Sequence, residues 1–143
     1  MPQASKKKQL SRHLERQVIK EGHFDKILNT HYSEGIRVGN LVFVAGQLAV
    51  DDQLNLTGKG DPDKQARKVF ENMKGILEEA GATMQDVVML SLYVTDIGLI
   101  SKIAQARRDY FGSNRPVATL VEVSKLAHPD AVVEVNAIAV ISR

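Results

Sequence analysis

The chain has 143 residues, 43% hydrophobic and 25% charged, with a net charge of +2 and no cysteine. This describes one ordinary folded domain rather than a disordered or membrane-spanning chain, and a single hydrophobic core suffices for it. It excludes a disulfide framework, a thiol nucleophile and cysteine-ligated zinc, and it fits a reducing compartment.

The longest apolar runs, Leu41 to Val44 and Ala137 to Ile141, are too short to cross a bilayer. No secretory h-region precedes them, so the cytoplasm is the expected compartment and no membrane partner is expected. Charge is concentrated at the start. Lys6, Lys7, Lys8, Arg12, Arg16 and Lys20 against Glu15 give residues 1–20 a charge of +5 and leave about −3 on the remainder. Leu10, Leu14 and Val18 recur every four residues and predict a thin amphipathic helix within a basic arm of residues 1–26. A domain of residues 27–143 follows.

Gly35 to Val38 and Leu41 to Leu48 read as strands joined by Gly39-Asn40, a dipeptide suited to the positive φ of a two-residue hairpin. Asp51 to Asp61 is a loop rich in Gly, Asp and Asn. Asp61-Pro62 then opens a helix whose apolar positions are Ala66, Val69, Phe70, Met73, Ile76, Leu77 and Ala80, with Gly81 closing it. Val87 to Val94 is a buried strand. Thr95-Asp96 begins a second helix through Ile100, Ile103, Ala104 and Tyr110, stopped by Gly112-Ser113-Asn114. The last strands are Val117 to Leu126 and Val132 to Ile141, separated by a turn at Ala127 to Asp130. The order β-β-β-α-β-α-β-β, whose first strand is not assigned to particular residues, predicts an α+β domain: a mixed sheet with two helices on one face, the other face left for a second copy to cover.

The stretch Arg115 to Val140 resembles the signature of the RidA family, also called YjgF/UK114, through Pro116, Val117, Leu120-Val121-Glu122-Val123 and Val133-Glu134-Val135. Tyr32 with Glu34-Gly35, Gly39 to Gln47, and Ala66 to Gly81 extend the likeness to most of the domain. The resemblance implies a chorismate-mutase-like homotrimer with clefts between subunits, a small-molecule metabolite as partner and no cofactor. In such clefts water adds across the C=N bond of an imine or enamine and releases ammonia, and the protein mainly orients the reactants.

The resemblance also implies the site residues. Glu134 matches the glutamate that helps place the attacking water. A carboxylate among valines is desolvated and its pKa raised, although such a group also reads as structural. Tyr32 matches a tyrosine that closes the cleft, or is a core aromatic. Gly46 matches a glycine whose backbone approaches the ligand, or serves tight strand packing. Leu120 stands where many members have cysteine, and there only the backbone carbonyl is used. Ala118 stands where the family carries the arginine that clamps a substrate carboxylate. Removing one side of such a pair costs roughly 2–5 kcal/mol. Arg115, three residues upstream, is the nearest replacement, provided that Arg115-Pro116 is loop rather than strand; a salt bridge is its plainer role.

His13, His23, His31 and His128 lack metal-ligand spacing, so no metal is expected, and Gly58-Lys59-Gly60 lacks the spacing of a phosphate loop. Strand alternation predicts that His31 and Tyr32 point to opposite faces. The expected function is enamine or imine deamination, a hydrolase reaction, with a non-catalytic ligand sensor or interaction module as the alternative. RNA binding or endoribonuclease cleavage is a third and weaker alternative, favoured only by the basic arm; nucleic acid is not the expected partner, because no aromatic residue interleaves with that arm.

Overall fold

The computed structural model describes residues 15–143. Strand β1, Arg16–Glu21, pairs antiparallel with β2, Ser33–Val38, and β2 pairs with β3, Leu41–Gln47. Val38 is in register with Leu41, so the predicted two-residue hairpin turn is present. Only Gly39 takes a positive φ there, 58°, as in a turn with glycine at its first central position.

Three strands do precede the first long helix, but the first of them lies inside the predicted arm. Val18 is in β1 rather than on a helix, which corrects that expectation; Leu10 and Leu14 lie outside the described residues. The physical reason is that a one-residue-wide apolar stripe gains little from helix burial. The outer edge of β2, by contrast, offers a row of backbone groups for residues 16–21 to pair with. The sheet therefore begins eleven residues ahead of the expected domain start at residue 27.

Helix α1, Pro62–Glu79, starts as predicted, with Pro62 in its first turn and the Asp61 side chain accepting from the Lys64 N–H at 3.1 Å. All seven predicted apolar positions, Ala66 to Ala80, are buried. At its C-terminus Gly81, φ 84°, donates to the Glu78 carbonyl while the Ala82 N–H reaches back to the Leu77 carbonyl, the paired bonds of a Schellman ending. Arg37 from β2 donates to the Ala80 carbonyl at 2.7 Å and places a cation at the negative end of the helix.

Strand β4, Val87–Val94, has the predicted bounds, and helix α2, Ile100–Phe111, follows a short 3-10 turn capped by Asp96. In α2 the buried side chains are Ile103, Ala106 and Phe111, whereas Ile100 stays exposed. Phe70 of α1 meets Phe111 edge-to-face at 5.4 Å and joins the two helices.

The last strands, β5 (Val117–Glu122) and β6 (Val133–Val140), end and begin short of their predicted bounds and are not neighbours. The six-stranded sheet runs β1-β2-β3-β6-β4-β5, with β4 and β5 parallel and every other pair antiparallel. Val133, Val135, Ala137 and Ala139 alternate inward on β6 and join Val42, Val44, Leu90, Leu92 and Val94 beneath both helices. The opposite face bears Glu134, Asn136, Ile138 and Val140 of β6, with Tyr93, Met89, Phe43 and Leu41 on the strands beside it. Its exposed members include Leu41, Phe43, Met89, Val117 and Val121. Among the described residues no helix is long and apolar enough to cross a membrane.

Candidate functional site

Glu134 sits near the start of β6, in register with Tyr93, on the face away from the helices. Burial raises the pKa of its carboxyl, and among the described residues it has no hydrogen-bond or ion-pair partner. Gly46 lies directly against it. A Cβ at position 46 would overlap Glu134 Oε1 and stand 3.0 Å from the carboxyl carbon, so the missing side chain makes room for this carboxylate. The register between β3 and β6 shifts between Val44 and Gln47, so Gly46 lies in an irregular segment that bends the strand at the site.

Next to Gly46, Gln47 is buried and its amide N–H groups donate to Glu34 Oε2 at 2.6 Å and to the Ala45 carbonyl at 3.1 Å. Its own oxygen is the one fully buried side-chain polar atom among the described residues that lacks a partner. Glu34 is completely buried and takes further bonds from the Tyr32 hydroxyl at 2.9 Å, the His23 N–H and the His23 ring at 2.8 Å. The second ring nitrogen of His23 faces Asp52 at 3.1 Å. Burial alone would raise the pKa of Glu34, but the bonds from His23 and Gln47, and the charge of His23, outweigh it and hold the carboxyl at about 2. Burial and the neighbouring Glu34 push the Tyr32 phenol above its usual range.

A buried carboxyl, Glu34, and a half-buried one, Glu134, thus flank the Ala45-Gly46-Gln47 segment, with their pKa values displaced in opposite directions. Glu34 is ionised and fully bonded. Glu134 is desolvated and unbonded, available to a ligand or a water. Pairs of acids driven apart in this way are a recurrent mark of functional sites, because one group stays charged while the other holds its proton more tightly.

Of the residues predicted from sequence, the structure brings Glu134 and Gly46 into contact and links Tyr32 to them through Glu34 and Gln47. It does not bring Ala118, Leu120 or Arg115 to the same place within one chain. Ala118 is in register with Leu90 and Leu120 with Leu92, so both face the helix side, and Leu120 packs on the core. Arg115 does lie in loop, but six residues before Val121, which is level with Glu134 through Tyr93. At about 3.3 Å per residue, that is roughly 20 Å along the sheet. His31 is exposed at φ 58° ahead of β2, so strand alternation does not govern its direction.

His23, Glu34 and Gln47 were not among the site residues expected from the sequence. The available signal was a Glu and a Gln inside otherwise apolar strands; the partner His23 is eleven residues from Glu34 and becomes its neighbour only when residues 22–32 fold back across β2.

A six-stranded mixed sheet with two helices on one face and an isolated acid on the other defines a small single-domain α+β protein. Residues 25–141 match the family described as Endoribonuclease L-PSP. A RutC family protein of Pyrococcus abyssi is 44% identical over 108 residues, covering 76% of this chain and 84% of that protein. A YjgF/YER057c/UK114 family member from Mycobacterium tuberculosis superimposes with a TM-score of 0.77 at 34% identity, over 89% of this chain and all of that one. RidA from an Antarctic Psychrobacter gives a TM-score of 0.72 at 33% identity, over 78% of this chain and 89% of that one. The chain belongs to the RidA/YjgF family.

Proposed function

We propose that this protein is a homotrimer which binds a small enamine, imine or carbonyl metabolite in clefts between subunits, and that Glu134 positions the water that releases ammonia. One observation carries the reading: a desolvated carboxyl without a partner, resting on a residue that has no side chain, on an uncovered face of the sheet. Such a group gains most from a hydrogen-bonded water or substrate. The exposed Leu41, Phe43, Met89, Val117 and Val121 on the same face support assembly, since apolar patches of this kind mark contact surfaces. One relative, TdcF of Escherichia coli, was solved with bound serine, a small amino acid, which supports a ligand of that size.

Ala118 limits the chemistry. It offers no guanidinium to a substrate carboxylate, so freshly generated iminopropionate is expected to be turned over far more slowly than by a relative with arginine there, and uncharged imines are the better substrates. Steady-state ammonia release from both substrate types tests this, with Glu134→Gln as the control. Ammonia release unaffected by that substitution would leave a ligand-binding module without chemistry, the second reading.

A further inference from the structure

We infer that a second binding site, for a small monocarboxylate, lies in the open cleft at the end of the sheet where β4 and β5 finish and β6 begins. The cleft has a volume of about 620 Å³ and is walled by Lys59, Thr95, Ser124, Lys125, His128 and Asp130. That size is in the usual range for small-molecule sites. The site uses neither the Glu134 carboxyl nor position 118, so it does not rest on the proposed deamination.

The donors in the cleft outnumber the acceptors. Lys125, Ser124 and Thr95 have side chains with no partner among the described residues. The His128 ring accepts the Asp130 N–H at Nδ1, 3.1 Å, so its own N–H is carried on Nε2. The one acid, Asp130, is 3.5 Å from Lys59. Two lysines against one aspartate leave the lining one excess positive charge, which matches a monoanion rather than a phosphate dianion. Lys125 is the cation left for it, with the Ser124 and Thr95 hydroxyls as further donors.

The walls are held in place before any ligand arrives. Buried Gln65 of α1 donates to the carbonyls of Gly58 at 3.1 Å and Asp130 at 3.0 Å, and accepts the Val132 N–H at 2.9 Å. The Thr95 N–H is bonded to the Val132 carbonyl at 3.1 Å. One glutamine therefore ties the Lys59 loop, the His128-Asp130 loop and the start of β6 together, which lowers the ordering cost of binding.

The test is titration of the full-length protein with pyruvate, acetate, acetamide and inorganic phosphate, followed by amide chemical shifts. Pyruvate and acetate should perturb Thr95 and residues 124–132, acetamide should not, and Lys125→Gln should weaken pyruvate binding at least tenfold. Glu134→Gln should leave the pyruvate shifts in this region intact. Three outcomes would overturn the assignment: shifts scattered over unrelated lysines, equal affinity in Lys125→Gln, or phosphate binding more tightly than pyruvate.

Discussion

Gly46 lies so close to the carboxyl of Glu134 that a Cβ at position 46 would overlap Oε1. Gly46→Ala should therefore push the acid off its resting place. Overpacking of this kind costs about 1–3 kcal/mol, so the denaturation midpoint should fall by a corresponding amount. Ammonia release should drop at least tenfold while the oligomer persists. A variant with full activity would show that the carboxyl position does not matter.

The pKa of Glu134 is raised by burial, and the sign of its effects follows. As a base it must be ionised, so activity should be lost as pH falls through that raised value, higher than for an ordinary carboxyl, and Glu134→Gln should lack this acid limb. Its effect on folding has the opposite sense. The fold holds the proton more tightly than the unfolded chain, so this contribution is full below the unfolded pKa and disappears as pH rises through the folded one. A pH–rate profile read beside a pH–stability profile separates the two.

Glu34 behaves in the reverse way. Its folded pKa of about 2 lies below the ordinary 4.5, so its contribution is present above about pH 4.5 and is lost as pH falls toward 2. At 1.36 kcal/mol per unit this amounts to about 3 kcal/mol. Glu34→Gln should remove that much stability at pH 7, measured by urea denaturation, and should flatten the acid side of the stability curve. His23→Ala should destabilise the same network without creating a new carboxyl shift elsewhere.

Ala118 and Glu134 lie on opposite faces, with β4 between their strands. If position 118 anchors substrate, it serves a Glu134 in a neighbouring subunit. Ala118→Arg should then raise kcat/KM for iminopropionate by about 30-fold or more, the kinetic equivalent of ~2 kcal/mol. Trimers mixed from Ala118→Arg and Glu134→Gln chains should retain part of that gain. No gain in either preparation would separate position 118 from catalysis.

Phe43 and Val121 stand exposed on the face away from the helices. Replacing both by lysine should convert the assembly to monomers in sedimentation velocity and abolish activity, while far-UV circular dichroism stays unchanged. A trimer that survives both charges would place its contacts elsewhere.

Local chemistry along the chain determined the helix of residues 62–79 with its proline start and glycine stop, the strand Val87–Val94 and the hairpin at Gly39, because caps, periodicity and turn residues act over a few neighbours. Sequence motifs were enough to suggest the family and marked Glu134 and Gly46 as separate site residues, whereas their contact emerges only in the fold. Other features depend on contacts between distant residues. Residues 16–21 became a strand because an unpaired edge was waiting for them, against their own weak helical pattern. The sheet order placed β6 between β3 and β4 and carried Ala118, Leu120 and Arg115 away from Glu134. The burial of Glu34 among His23, Tyr32 and Gln47, and the Gln65 bonds behind the cleft, likewise arise only when segments far apart in sequence are packed together, since a buried polar group is stable only where the tertiary fold supplies its partners.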